Sequence, residues 1–394
     1  MISILFVDDE LDILEGLRDA LHRRASDWNM AFAQTGEGAL EILSRGKFDI
    51  VVSDMQMPQM DGVTLLGYIQ ERYPHIIRFL LTGQADRESI VRMAPVTHQF
   101  LYKPFNPSDL IALLDRTVDL HDRIENEIVR RLIGSARCVP SAPKTALKLR
   151  QLAASQEVDM REVGLLIEHD PGLGARVLQI ANSAVMGRSK HVDSIAEAVM
   201  FIGFECAQAL AVANEVFRVT LESQPFARLI DATCDKAFKG AAMVSQFLVG
   251  HPLRAMGMTA ALLRDCGMLA AASSNGQIYR VALDRTGKAE TLCEVERTCF
   301  GVTHAELGGH LLATWGIPMP IVEAVTCHHN IEESTLDPLA MAAIHVADVV
   351  CDHPSLDRTG IIEKLNWLFI EQHFLEPEVA GWLDFCVKPT QSAA

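Results

Sequence analysis

Hydrophobic and polar positions along the chain fall into two textures. Over roughly the first 120 residues, short β-branched runs alternate with stretches whose apolar residues recur at helical spacing, the pattern of a parallel sheet with helices on both faces. Ser3 to Val7, Met30 to Ala33, Ile50 to Ser53, Ile77 to Leu81 and Gln99 to Tyr102 read as strands. Leu11 to Ala25, Glu37 to Arg45, Val63 to Arg72 and Arg87 to Ala94 read as helices. A fifth helix starts near Pro107 and Ser108 and meets no Gly or Pro before Ile133, which predicts one connecting helix suited to pairing with a second copy. Its apolar positions from Leu110 to Leu132 are interrupted by Arg116, Asp119 and His121.

From about Pro140 strand signals nearly vanish and helix follows helix, punctuated by proline and glycine. His169-Asp170-Pro171 ends one helix and begins the next, because Asp170 can cap and Pro171 suits a first turn. Trp315-Gly316-Ile317-Pro318 ends another. Only Ser273 to Gly287 is turn-rich, with a hint of strand from Ile278 to Leu283. Ile361 to Phe374 reads as amphipathic, with Leu365, Leu368 and Phe369 on the side that packs back on the helical half. Trp315, Phe201 and Phe204 are core candidates, and the tail after Thr390 is expected to fray.

A chain of 394 residues with 49% hydrophobic residues exceeds one ordinary core and suggests two or three domains. Charges cut every apolar run short of a membrane span, and the start after Met1 lacks the form of an export signal, so a cytoplasmic protein is expected. The nine cysteines include no Cys-x-x-Cys pair and fit reduced thiols. A net charge of −16 disfavours nucleic acid and anionic membranes as partners.

Four polar signals sit at the carboxyl ends of four strands: Asp8-Asp9, Asp54, Thr82 and Lys103. In an open parallel sheet these ends converge on one crevice. Three clustered carboxylates call for a hard divalent cation such as Mg²⁺, with Asp9, Asp54 and the Gln56 backbone carbonyl as ligands and Asp8 acting through water. A carboxylate oxygen of Asp54 can then attack a phosphoryl group while Lys103 and the metal hold the equatorial charge. The Thr82 hydroxyl is placed to bond a phosphoryl oxygen, and Gly83 leaves room for the donor.

Residues 1 to about 120 thus resemble a response-regulator receiver domain, of flavodoxin-like, doubly wound, five-stranded fold. Phe6-Val7-Asp8-Asp9-Glu10, Asp54-Met55-Gln56-Met57-Pro58-Gln59-Met60-Asp61-Gly62, Leu81-Thr82-Gly83 and Phe100-Leu101-Tyr102-Lys103-Pro104-Phe105 carry the resemblance. It implies a histidine kinase as phosphoryl donor, a cis bond at Lys103-Pro104, and Phe100 as an aromatic switch that follows Thr82. Gln56 and Gln84 hold positions that tune the phosphoryl lifetime in that family.

An all-helical module with His-Asp pairs can be a metal phosphohydrolase, and His304, His310, His328, His329, His345, Asp265 and Asp348 are the candidates here. The segment from about Ile133 to Cys351 is similar to the HDOD domain, an all-α relative of HD-type phosphohydrolases without demonstrated catalysis. The similarity rests on Val139-Pro140-Ser141-Ala142-Pro143, Ile167-Glu168-His169-Asp170-Pro171, Leu178 to Ala184 and Ala198 to Gly203. It continues through Ala261 to Gly267, Phe300 to Gly308, Trp315-Gly316-Ile317-Pro318 and His328-His329.

An active relative would present His-Asp where this chain has Arg264-Asp265, and an earlier histidine ligand where it offers Lys236 and Lys239. A guanidinium cannot ligate, so no metal is expected in the helical half, and Arg264 is read as the partner of Asp265 or another buried carboxylate. Adjacent histidines on a helix face two directions, so His328 and His329 are expected to close hydrogen bonds between helices rather than share a site. Asn182-Ser183 reads as a cap or a backbone clamp.

The expected organisation is a receiver over 1–120, a connecting helix over 121–134, an HDOD output domain over 135–351 and a helical extension over 352–394. The expected function is a phosphorelay response regulator in which phosphorylated Asp54 acts on a non-catalytic output domain that binds a signalling partner. The alternatives are a degenerate HD-type phosphodiesterase or phosphohydrolase with a site rebuilt from His304, His328, His329 and Asp348, and a cyclic-dinucleotide sensor.

Overall fold

A computed structural model describes residues 2–24, 26–83, 89, 92–122, 127–135, 145, 148–149, 151–152, 158–182, 191–218, 224–274, 276–286 and 291–386. The motif at Val139 to Pro143, Ser183, Gln84, most of the predicted Arg87 to Ala94 helix and the tail lie outside the described residues.

Five strands, β1 (Ile2–Val7), β2 (Trp28–Ala33), β3 (Ile50–Asp54), β4 (Ile77–Thr82) and β5 (Gln99–Tyr102), form one sheet in the order β2-β1-β3-β4-β5. All four pairings are parallel. β3 and β4 are buried along their whole length, which is why they read as continuous apolar runs rather than alternating ones. Side chains still alternate between the faces. Phe6, Val52, Phe79 and Leu101 meet Leu14, Leu17, Leu110 and Leu114, from helices Leu11–Leu21 and Pro107–Asp122. Leu5, Val51, Leu80 and Phe100 point the other way, toward helices Gly36–Arg45 and Gly62–Arg72, in a cluster that continues into the helical half. The fold is therefore the flavodoxin-like one expected, followed by a largely helical region.

The connecting segment is helical over Pro107–Asp122 and Glu127–Ser135, and 123–126, where the two stretches would join, lie outside the described residues. The second does not stand free: Val129, Leu132 and Ile133 are buried, and a Cβ on Gly134 would lie 1.7 Å from the Pro74 carbonyl oxygen. Arg78, buried in β4, donates from Nη2 to the Gly134 carbonyl at 2.8 Å. The segment is wedged between the two halves.

The helical half contains Ile195–Arg218, Gln224–Phe247, Arg254–Leu263, Cys266–Ser274, Leu292–Phe300, His304–Thr314, Met319–Cys327 and Pro338–Asp352 among its helices. Asp170 caps as anticipated, accepting from the Leu173 amide at 3.0 Å, and Gly316 takes the left-handed conformation (φ 77°) after Trp315. Several expectations fail. Ile278 to Leu283 lies within a helix, Gly276–Arg285, because Tyr279 and Ala282, three apart, bury together where a strand would split them. Ile361 to Phe374 divides into Arg358–Ile362 and Trp367–Gln372, because the Asn366 side chain accepts from the Phe369 amide and starts a new helix. Leu365 and Phe369 bury there, but Leu368 is 65% exposed. Phe201 is 37% exposed rather than core, two residues before the helix kinks at Gly203.

Gly267 shows how tightly the helices pack. A Cβ there would lie 2.0 Å from the His304 carbonyl oxygen and 2.5 Å from the Gly308 amide nitrogen. Gly267→Ala should therefore force the Cys266–Ser274 and His304–Thr314 helices apart and cost about 2–3 kcal/mol. Denaturant unfolding checks this, and an unchanged midpoint would mean the contact is loose.

Candidate functional site

The strand order reverses between β1 and β3, and the acids follow those strands. Asp8, 1% exposed, and Asp54, 6% exposed, stand side by side at the carboxyl edge, with Asp9 exposed next to Asp8. Lys103, beyond the end of β5, closes the group: its Nζ lies 2.7 Å from Asp8 Oδ2 and 2.5 Å from Asp54 Oδ1. Its backbone is tied to the same edge by an amide that donates to the Thr82 carbonyl at 2.8 Å, and Lys103-Pro104 is cis. The Gln56 amide donates to Asp54 Oδ2 at 2.6 Å. The loop after Asp54 depends on Gly62, where a Cβ would lie 1.9 Å from the Asp54 carbonyl oxygen. That role was not assigned from the sequence, although Asp61-Gly62 was part of the motif.

Burial raises the Asp54 carboxyl above its ordinary range and Asp8 adds to this, while Lys103 opposes it. Burial works against the Lys103 charge, but its bonds to Asp54 and Asp8 outweigh that and raise its pKa. Three carboxylates facing one ammonium leave two negative charges, the complement of one Mg²⁺, so the residues fit that ion. Asp8, Asp9, Asp54 and the Gln56 carbonyl would hold it. Thr82 is fully buried and its hydroxyl donates to the Met55 sulfur at 3.1 Å. Phe100 is also buried, at 2% exposure.

The second cluster gathers the residues that the sequence groups as a degenerate HD site. Lys236, Arg264, Asp265, His304, His328, His329 and Asp348 do converge. Arg264 is fully buried; its Nε donates to Asp348 Oδ1 at 2.7 Å and lies 3.5 Å from Asp265 Oδ2. Gly240 makes room for it, since a Cβ there would lie 2.3 Å from Nη1. Lys236 Nζ lies 3.4 Å from Asp265 Oδ2 and pairs with Asp352. Lys239, three residues on, is exposed and takes no part.

His304 Nε2 stands 3.6 Å from Asp265 Oδ1 and 3.1 Å from His329 Nε2. The Met319–Cys327 helix stops just before the histidine pair, and His328 is its C-cap, so the two rings turn to one side with centroids 4.0 Å apart. Residues on a continuing helix would diverge, which is why the sequence argument failed. His345 contacts the His328 carbonyl at 3.2 Å.

Glu296 and Tyr279 were missed: the Tyr279 hydroxyl donates to Glu296 Oε1 at 2.8 Å, and Glu296 Oε2 lies 2.7 Å from His304 Nδ1. A single acid in a short amphipathic helix gave no signal. Burial opposes charge on His304, but Glu296 and then Asp265 outweigh it and raise its pKa. Burial pushes His329 down to about 4 and holds His328 well below its ordinary value. Asp265 and Asp348 lie well below the usual range because neighbouring cations, Lys236 and Arg264 for the first and Arg264 foremost for the second, outweigh burial.

The halves touch along β5. Gln99 Nε2 donates to the Thr314 carbonyl at 2.7 Å, Gln179 Nε2 to the His98 carbonyl at 2.6 Å, and Arg116 Nη2 to the Ile317 carbonyl at 2.8 Å. Arg176 orients Gln179 through its Oε1 at 2.6 Å and lies 4.3 Å over the Trp315 ring.

Comparison with known proteins places both halves. A response regulator receiver domain model matches residues 4–115 and an HDOD domain model matches residues 139–331. The chain is a response regulator with an HDOD domain. Response regulator protein FleR of Pseudomonas aeruginosa is 32% identical over 222 residues, covering 56% of this chain and 41% of that protein. PilR of the same organism is 31% identical over 157 residues, 39% of this chain and 34% of that protein. This chain spans well under half the length of these curated relatives. The MmoQ response regulator of Methylococcus capsulatus is a similar solved structure at 24% identity, covering 62% of this chain and 98% of that one, with a TM-score of 0.49. Among the described residues, no helix is long and apolar enough to cross a membrane.

Magnesium should stabilise this response regulator through the Asp54 crevice. At a hundredfold excess over its dissociation constant the gain is about 2.7 kcal/mol. Melting in MgCl₂ against EDTA should show an upward shift in the native chain that largely disappears in Asp54→Asn. An equal shift in both would place the ion elsewhere.

Proposed function

We propose that this response regulator accepts a phosphoryl group on Asp54 from a cognate histidine kinase and passes the change across β5 to the HDOD domain, which binds a downstream signalling protein. An Asp54 oxygen attacks the phosphorus, the donor histidine leaves, and Lys103 holds charge on the transferred group. Magnesium, when bound, supplies charge neutralisation for the acids and the phosphoryl oxygens. The HDOD half acts in this reading as a binding module in a cytoplasmic relay, and the domain limits are those read from the sequence: 1–120, 121–134, 135–351 and 352–394.

One observation carries the coupling: residues within five positions of Lys103 in sequence hold the helical half. Gln99 donates to Thr314, and the His98 carbonyl accepts from Gln179. Phe100, between Gln99 and Leu101, belongs to an apolar cluster that includes Trp315 and Ile317. A charge-driven shift of Lys103 away from Asp8 would strain these contacts. A switch requires a second packing, and the Lys103 contact is the one whose loss on phosphorylation would favour it.

Asp54→Asn should abolish acid-labile labelling by acetyl phosphate or a cognate kinase, and label that survives would move the acceptor elsewhere. Phosphorylation should alter amide exchange across 304–317 in the native chain. In Lys103→Ala, and in the Gln99→Ala/Arg116→Ala double variant, labelled protein should show no such change. A full response in either would refute this route.

A further inference from the structure

A cavity of about 510 Å³ opens between the helices Met160–Ile167 and Gln224–Phe247 and the residues Thr145 and Lys148, sharing no residue with either cluster above. We propose that it is a binding site for a small organic cation, an aromatic amine whose ammonium pairs with Asp231 and whose ring packs along His169 and Phe238.

The spacing of the sequence builds the lining. Asp231, Cys234, Asp235 and Phe238 recur at three- and four-residue intervals and share one face of their helix. Glu162, Leu165 and His169 do the same on the helix opposite and just past its end. Lys236 turns the other way, to Asp265 and Asp352, so the cavity and the buried charge cluster occupy different faces of one helix. A volume of this size is ordinary for a small-molecule site and exceeds what one inorganic ion needs.

Charge and aromaticity choose the class of ligand. Glu162, Asp231 and Asp235 against Lys148 are three carboxylates to one ammonium, an excess of two negative charges. Glu162, Asp235 and Lys148 are exposed, whereas Asp231 Oδ1 is buried and meets no hydrogen-bond donor among the described residues. A buried carboxylate oxygen costs free energy until a donor reaches it, and an ammonium does so with a charge-assisted bond. The rings of His169 and Phe238 stack with centroids 3.3 Å apart and planes 20° from parallel. His169 is fixed there by its Nδ1, which donates to the Leu165 carbonyl at 2.5 Å. The stacked pair, with Leu152 and Leu166 also on the wall, gives an aromatic body a flat apolar surface to pack on. The excess negative charge repels phosphates, so the same cavity disfavours a cyclic dinucleotide.

The test is calorimetric titration of the full-length chain with phenethylamine and with tryptamine, using phenylacetate as the anionic counterpart. Each amine should bind once per chain and more weakly as salt is raised, and phenylacetate should give no saturable heat. Asp231→Asn should weaken both amines about 10–100-fold. Glu363→Gln, which removes an exposed acid outside the cavity, should leave them unchanged. Should Asp231→Asn fail to fold, the double variant Glu162→Gln/Asp235→Asn alters exposed positions alone, and it should weaken both amines and flatten their salt dependence. Phenylacetate binding as tightly as the amines, an amine affinity indifferent to Asp231→Asn or to the double variant, an equal loss in Glu363→Gln, or no saturable binding of either amine would each overturn the proposal.

Discussion

The ammonium of Lys103, held between two carboxylates at 2.7 and 2.5 Å, is the interaction on which the receiver half turns. Asp8 and Asp54 are buried at the ends of adjacent strands, and without a cation between them their repulsion and lost hydration would oppose the sheet that carries them. Lys103 ties the ends of β1 and β3 to the β5 side of the sheet through charge-assisted hydrogen bonds. Any new charge on Asp54 would compete for the same ammonium, so the contact that stabilises the crevice is also the one most sensitive to charge there.

The same electrostatic constraint shapes the helical half with a different outcome. There, Arg264 and Lys236 sit among Asp265, Asp348 and Asp352, and buried charge is again met by buried charge. What differs is the presence of imidazoles. The receiver crevice offers oxygen and one ammonium, whereas the second cluster adds imidazoles whose hydrogens are already committed to a carbonyl and a carboxylate. One chain thus holds a hard-ion crevice at a sheet edge and a nitrogen-rich cluster within a helical bundle.

How much of this could be read from the sequence depended on the range of each interaction. Asp8, Asp54, Thr82 and Lys103 were legible because each follows a strand, and strand ends in a parallel sheet meet at one edge whatever the helices do. Arg264 as a partner for a buried acid was also legible, since a guanidinium among apolar residues must find one. The histidine pair was misread because its geometry hangs on where one helix stops, and nothing local at Cys327-His328 announces that stop. Glu296 and the contacts of Arg116 and Gln179 were not legible at all. Their partners lie in helices or carbonyls far along the chain, and no periodicity encodes which carbonyl a side chain will reach. Ile278 to Leu283 failed for a related reason, as packing of Tyr279 and Ala282 overrode a weak local preference.

The bond from Gln179 to the His98 carbonyl has a consequence for the chain as a polymer. β5 ends the described sheet, and an outermost strand with open peptide groups is a template for pairing with other chains. The helical half sets the Gln179 carboxamide on the carbonyl just before β5 and the end of the His304–Thr314 helix beside Gln99, so it stands in the way of such pairing at that end of the strand. A receiver severed from it would leave that end of the strand open, which ties the solubility of one half to the presence of the other.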